Sequence, residues 1–273
     1  MQMMQGCLAR NPFARMTRLL GSVQCSREAG SRPGPQQQQK QKPLTMAVVL
    51  FPGFELLDVA APGELLGAVP DVARLFYAAQ FPGPIASSCS ELAGGTVGPS
   101  LVATHRLLQG GSISDAAGGQ PFKPDAIFIP GGKGVRGEVS NDFLVDWMRE
   151  AAHEADVVLT VCTGSWLLGV SGALDGIPAT SNKNALRNGH PQKAAPNVLW
   201  QLEARWVEHE LRRSGGRTTL FITSSGVSAG GDAALALIAR RAGMEVARRV
   251  AHRAEWSWQE DSSVDPFARD YGL

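Results

Sequence analysis

The chain has 273 residues, 44% of them hydrophobic and 19% charged, which is enough apolar mass for a sizeable core and excludes global disorder. A formal net charge of +1 gives no electrostatic reason to expect nucleic acid as a partner. Its 4 cysteines are too few for a disulfide scaffold, and no apolar run reaches the ~18 residues of a membrane-spanning helix.

Charge is distributed unevenly. Residues 1–45 contain Arg10, Arg15, Arg18, Arg27, Arg32, Lys40 and Lys42 against one acid, Glu28, so the remainder of the chain is net acidic. The same segment holds Gln36 to Gln39 and the patch Arg32-Pro33-Gly34-Pro35. Such composition cannot build a core and predicts a disordered extension. Basic, Ser-containing and acid-poor sequence is also the mark of an organellar transit peptide. An ordinary tail, or initiation at Met46, is the alternative. A single α/β domain is expected over 46–273.

From Met46 the pattern becomes regular. Met46 to Phe51 is a continuous apolar run stopped by Pro52-Gly53, as expected of a strand buried on both faces. Asp58 to Val69 has helical spacing and Val72 to Ala79 reads as a strand. Residues 82–124 are rich in Gly, Ser and Pro, with short strands expected near Val97 and at Leu101 to Ala103. Asp125 to Ile129 is a strand closed by Pro130-Gly131-Gly132, Phe143 to His153 a helix, Asp156 to Val161 a strand and Thr163 to Val170 a helix. This alternation predicts a doubly wound, mostly parallel sheet with right-handed crossovers. Ala204 to Leu211 and Thr218 to Thr223 read as a hairpin around Ser214-Gly215-Gly216. Helices are expected over Ser228 to Arg241 and Met244 to Trp256, followed by an irregular end.

Val161-Cys162-Thr163-Gly164-Ser165 is the most informative stretch. It places a cysteine on a sharp turn between a buried strand and a helix, at the carboxyl end of the sheet where open α/β folds bind ligands. A nucleophile elbow has this geometry. The helix N-terminus behind Cys162 is expected to favour thiolate and so to lower the thiol pKa. A plain packed cysteine is the competing role. Cys7, Cys25 and Cys89 have no comparable setting.

A nucleophilic thiol needs a proton partner. Asp58 follows the first strand and shares the sheet rim with Cys162, so the two can meet in space. A helix N-cap is its alternative role. Glu55 and Glu64 are competing carboxylates. Gly131 and Gly132 can turn backbone N–H groups toward a developing oxyanion, or form a plain tight turn.

These residues carry a resemblance. Val49 to Phe54, Asp58-Val-Ala-Ala-Pro62, Ile129 to Gly132 with Gly134 and Arg136, Val161 to Ser165, Ala179-Thr-Ser181, Thr223 to Gly230 and Asp265-Pro-Phe267 together resemble the ThiJ/PfpI superfamily. The resemblance implies the flavodoxin-like fold of class I glutamine amidotransferases. Thr163 stands where the protease-named branch has His, and Asp58 where the deglycase branch has Glu. In both respects the chain is similar to the isonitrile hydratase-like branch. That likeness implies Cys162 as nucleophile, Asp58 as acid/base, and backbone amides of Thr163 and Gly132 at the oxyanion position. Asn182-Lys183 replaces a His-Trp pair near the pocket, which makes these two residues the candidate substrate contacts.

His105, His153, His209 and His252 read as surface positions, and His190 as a surface loop, so a Cys/His/Asp triad is not supported. No CxxC or His/Cys cluster suggests a metal, and the chemistry implied needs no cofactor. The expected function is water addition to an electrophilic carbon through a Cys162 adduct. A glyoxalase- or deglycase-type activity on dicarbonyls, and a redox- or ligand-sensing protein without turnover, are the alternatives. The expected partner is a small electrophile, with neither nucleic acid nor membrane. The family implies a homodimer. The expected location is intracellular, in mitochondrion or chloroplast if the extension is a transit peptide and otherwise cytoplasmic.

Overall fold

A computed structural model describes residues 42–88, 97–213 and 215–273. The expected disorder of the extension therefore lies outside the described residues, apart from its last few. Within the described part the elements run β1 (Leu44–Val49), α1 (Leu56–Gly67), β2 (Ala73–Ala79), β3 (Gly83–Ser88), β4 (Val97–Ala103), β5 (His105–Leu108), β6 (Ser112–Asp115) and β7 (Ala126–Ile129). They continue with α2 (Val135–Glu138), α3 (Asp142–Glu154), β8 (Val157–Thr160), α4 (Gly164–Val170), β9 (Pro178–Ala179), α5 (Lys183–Arg187), α6 (His190–Ala194) and β10 (Leu199–Trp200). The last are β11 (Trp206–Arg212), β12 (Thr218–Ser224), α7 (Ala229–Ala242), α8 (Met244–Arg253) and α9 (Pro266–Asp270).

The main sheet has the order β11-β12-β8-β7-β1-β2-β5-β6. Its six inner strands are parallel and only the edge strands β11 and β6 run antiparallel. Apolar runs such as Ala126–Ile129 and Val157–Thr160 are buried throughout, as strands covered on both faces must be. α1, α7 and α8 pack together in one group, and α3, α4 and α6 in another, the arrangement of a doubly wound domain. α3 shows how a helix reads its face from sequence. Leu144, Trp147, Met148, Ala151 and Ala152 fall on one stripe and are all buried, while Asn141 caps the first turn through its side chain.

Four local expectations are corrected. β1 begins at Leu44, not Met46, because Thr45 is bound to Asp125 through both its amide and its hydroxyl. Residues 82–124 contain two antiparallel strand pairs, β3–β4 and β5–β6, where short strands in a loop are expected. The pairings there join segments whose own composition is turn-like, so no local period announces them. Residues 183–194 form α5 and α6, each five residues long and too short to show a period. The end of the chain is not irregular throughout. Asp265 accepts from the Phe267 amide and Pro266 opens α9, a start signal that the sequence does carry.

Candidate active site

β8 delivers Val161 and Cys162 to the carboxyl edge of the sheet. Cys162 has φ 57, a left-handed conformation that costs a non-glycine residue about 1–3 kcal/mol. The surrounding chain holds it there. Its N–H donates to the Ser225 carbonyl at 3.0 Å. Its carbonyl accepts from the buried hydroxyls of Ser165 at 3.2 Å and Ser181 at 2.9 Å. Gly164 passes directly under the Ile129 carbonyl, where a Cβ would collide. A Cβ on Gly131 would lie 2.5 Å from the Thr163 nitrogen and 2.9 Å from the Cys162 Cβ. The two glycines are there because the β7 and β8 ends must touch.

Asp58 comes from the first turn of α1 and is fully buried. Its Oδ2 accepts from the Gly131 N–H at 2.8 Å. Its Oδ1 is sealed from water without a partner of ordinary hydrogen-bond geometry. The Cys162 thiol lies close enough to the same carboxylate for each group to shift the other's pKa. The N-cap role is thus corrected. The capping position belongs to Glu55, and no side-chain cap bond is made. Glu55 instead donates its N–H to the Gly131 carbonyl at 2.8 Å, so the first turn of α1 grips both polar groups of Gly131.

Burial holds the Asp58 carboxyl well above the usual carboxylate range, partly opposed by the Gly131 N–H, and nearby Glu55 adds to the rise. Burial also pushes the Cys162 thiol up, and the Asp58 charge pushes it further, against hydrogen bonds from the Thr163 and Val227 amides. The expected lowering by the helix is therefore reversed. α4 has only seven residues, and a helix terminus contributes about 0.3–1 kcal/mol, less than the cost of placing a second negative charge in this dry site. Two acidic groups this close titrate as a pair.

The oxyanion candidates separate. The Gly131 N–H donates to Asp58. The Gly132 N–H donates to the Thr163 hydroxyl at 3.1 Å, while the Thr163 amide acts to lower the Cys162 pKa. Thr163 thus brings both its amide and its hydroxyl to the site.

A cavity of about 240 Å³ lies among residues next to the pair. Leu57, Asn182, Ser225 and Val227 line it. Leu57 precedes Asp58 in the chain, Ser225 and Val227 hydrogen-bond Cys162, and Asn182 follows Ser181. Asn182 caps α5 by accepting from the Ala185 amide at 3.1 Å. Lys183 also lines the cavity, but its ammonium is drawn off it by the Thr180 hydroxyl at 3.0 Å and the Ala204 carbonyl. Burial lowers its pKa to about 8. Lys183 thus lines the cavity with its ammonium committed to Thr180 and Ala204. His190 opens α6 and stacks on Trp166 with ring centroids 5.7 Å apart, away from the pair's hydrogen bonds. Among the described residues no group of three or more His, Cys, Asp or Glu is placed to hold a metal.

Ser181, Ser225 and Val227 carry no role in the sequence reading, although both of their motifs are recognised there. A signal exists for Ser225: it directly follows a strand that ends on the same rim as Cys162.

A doubly wound sheet with a strained strand–Cys–helix turn facing a buried carboxylate defines an α/β protein of the ThiJ type. The chain belongs to the DJ-1/PfpI family, which it matches over residues 45–240. It is 28% identical over 214 residues to an isonitrile hydratase of Pseudomonas putida, covering 78% of this chain and 79% of that protein. Among solved structures, a ThiJ/PfpI family protein from Pseudomonas syringae is similar at TM-score 0.61 and 24% identity, covering 84% of each chain. Drosophila melanogaster DJ-1beta is similar at TM-score 0.56 and 18% identity, covering 78% of this chain and 99% of its own. No helix among the described residues is long and apolar enough to cross a membrane.

Proposed function

We propose that the protein adds water to an electrophilic carbon, in the manner of an isonitrile hydratase, with Cys162 as nucleophile and Asp58 as the proton carrier. The observation that carries this reading is the fully buried Asp58, one oxygen fixed by Gly131 and its charge coupled to the neighbouring thiol. A carboxylate held dry beside a thiol serves no capping role and is suited to moving one proton.

The chemistry balances with that single proton. Sulfur attacks the terminal carbon of the isonitrile, forming the S–C bond, as Asp58 takes the thiol proton. Asp58 then delivers it to the same carbon, leaving a thioimidate on Cys162. Water adds to the thioimidate carbon, Asp58 taking one water proton and passing it to the nitrogen; the carbonyl then forms as the C–S bond breaks, and the hydroxyl proton returns through Asp58 to the sulfur. An N-substituted formamide leaves and the thiol is restored. Covalent capture divides a hard hydration into two easier steps. The 28% identity to the Pseudomonas putida isonitrile hydratase supports the substrate class. The reading includes a homodimer, which sedimentation equilibrium would test.

The test is a panel of isonitriles and dicarbonyls offered to the wild type and to Cys162→Ala. Formamide formed by the wild type alone supports the proposal. Lactate-type acids from dicarbonyls, with no formamide, would replace it by the glyoxalase reading. No turnover of either class, with Cys162 oxidised stoichiometrically, would replace it by a sensor.

A further inference from the structure

We propose that the cavity beside Cys162 receives the non-reacting group of the electrophile, and that Phe267 and Tyr271 on the α9 segment are specificity-determining residues selecting a neutral, apolar group about the size of an aromatic ring. The inference rests on Cys162 being the attacking atom.

Three of the residues lining the cavity neighbour the reacting groups. Leu57 precedes Asp58 in the first turn of α1, Asn182 follows the Ser181 whose hydroxyl binds the Cys162 carbonyl, and the Val227 amide faces the sulfur. The remaining wall is aromatic. Phe267 and Tyr271 stand four residues apart, which places them on one face of a helical turn. At about 240 Å³ the space exceeds the ~150 Å³ of an apolar cavity known to accept benzene. Lys183 is the charged residue among those lining it, and its ammonium is already held by Thr180 and Ala204. A charged group on the substrate would find no free counter-ion there.

The aromatic wall is anchored by a buried ion cluster outside the cavity. Arg205 bonds Asp232 of α7 at 2.6 Å, reaches Asp265 at 3.6 Å and donates to Ser228, another cavity residue, at 3.3 Å. Asp265 in turn caps α9 by accepting from the Phe267 amide at 2.9 Å. Arg205 thus positions the turn that carries Phe267.

Alkylation of Cys162 by iodoacetamide and by N-benzyl iodoacetamide, followed by peptide mass spectrometry, reads the wall without requiring turnover. The wild type should react about 10-fold faster with the benzyl reagent, the discrimination that one apolar contact region typically supplies. Phe267→Ala should bring the ratio close to one, chiefly by slowing the benzyl reagent, and Phe267→Leu should retain most of it. Equal rates for the two reagents in the wild type, the same ratio in Phe267→Ala, or no labelling of Cys162 by either reagent would overturn the proposal. A wild type that shows the ratio but hydrates no isonitrile would sink the hydratase reading and leave the specificity wall standing.

Discussion

Replacing Asp58 by Asn separates proton transfer from packing. The asparagine has nearly the same volume, and its side-chain oxygen can keep the 2.8 Å bond from the Gly131 N–H. What disappears is the negative charge and the ability to take the thiol proton. Loss of a positioned general acid/base costs about 10²–10⁴ in rate, so formamide production should fall by that factor while KM changes little. The thiol should titrate lower, because the Asp58 charge is one of the causes that raise it. Stability should move the other way from activity. Asp58 has a folded-state pKa above its unfolded value of about 3.8, so the folded protein binds the proton more tightly and stability falls as pH rises through that interval. Each tenfold tightening of proton binding in the folded state corresponds to about 1.4 kcal/mol of stability lost across it. Asp58→Asn removes this loss, and should unfold at higher urea than the wild type at neutral pH but not at pH below the unfolded value. The assays are steady-state kinetics, the pH dependence of iodoacetamide labelling, and urea unfolding at two pH values. Full activity with an unchanged thiol titration would refute the pairing.

Truncation to Met46 should destabilise the domain by about 2–5 kcal/mol in urea unfolding, since it removes buried Leu44 and the Thr45 bonds to Asp125; a chain beginning at Gln41 should match the full length. Gly131→Ala should lower both activity and melting temperature because its Cβ meets the backbone of Thr163, whereas Gly67→Ala, with open space around it, should raise stability by up to about 1 kcal/mol. Arg205→Met strands the buried carboxylates of Asp232 and Asp265 and should cost about 3–5 kcal/mol; a change under about 1 kcal/mol in chemical denaturation would show the cluster to be dispensable.

The architecture is legible in the sequence because its strongest signals are local. Apolar runs at 46–51, 125–129 and 156–161 end in turn residues, and helical periods separate them, so the parallel sheet and the position of Cys162 on its rim follow from period alone. Asp58 can be placed near Cys162 for the same reason, both lying at strand ends. Their protonation cannot be read, because it depends on burial, and burial is a property of the packed domain. The sequence shows a helix start behind Cys162 but not the dry carboxylate in front of it, and the second outweighs the first. Lys183 escapes sequence reasoning for a related cause: whether an ammonium faces a cavity or a carbonyl is decided by α5, a helix too short to show a period, and by Ala204, twenty-one residues on. The antiparallel pairs β3–β4 and β5–β6 are held by partners on another strand, which composition rich in Gly and Pro conceals.

The central claim is that Cys162 captures the electrophile covalently before water releases it. Mass spectrometry of the Cys162 peptide, quenched during turnover of benzyl isonitrile, tests it most directly. The account predicts a peptide heavier by the mass of one isonitrile, decaying as N-benzylformamide appears, with neither signal in Cys162→Ala. Formamide released at the wild-type rate by Cys162→Ala, or turnover with no adduct on Cys162 at any quench time, would contradict it.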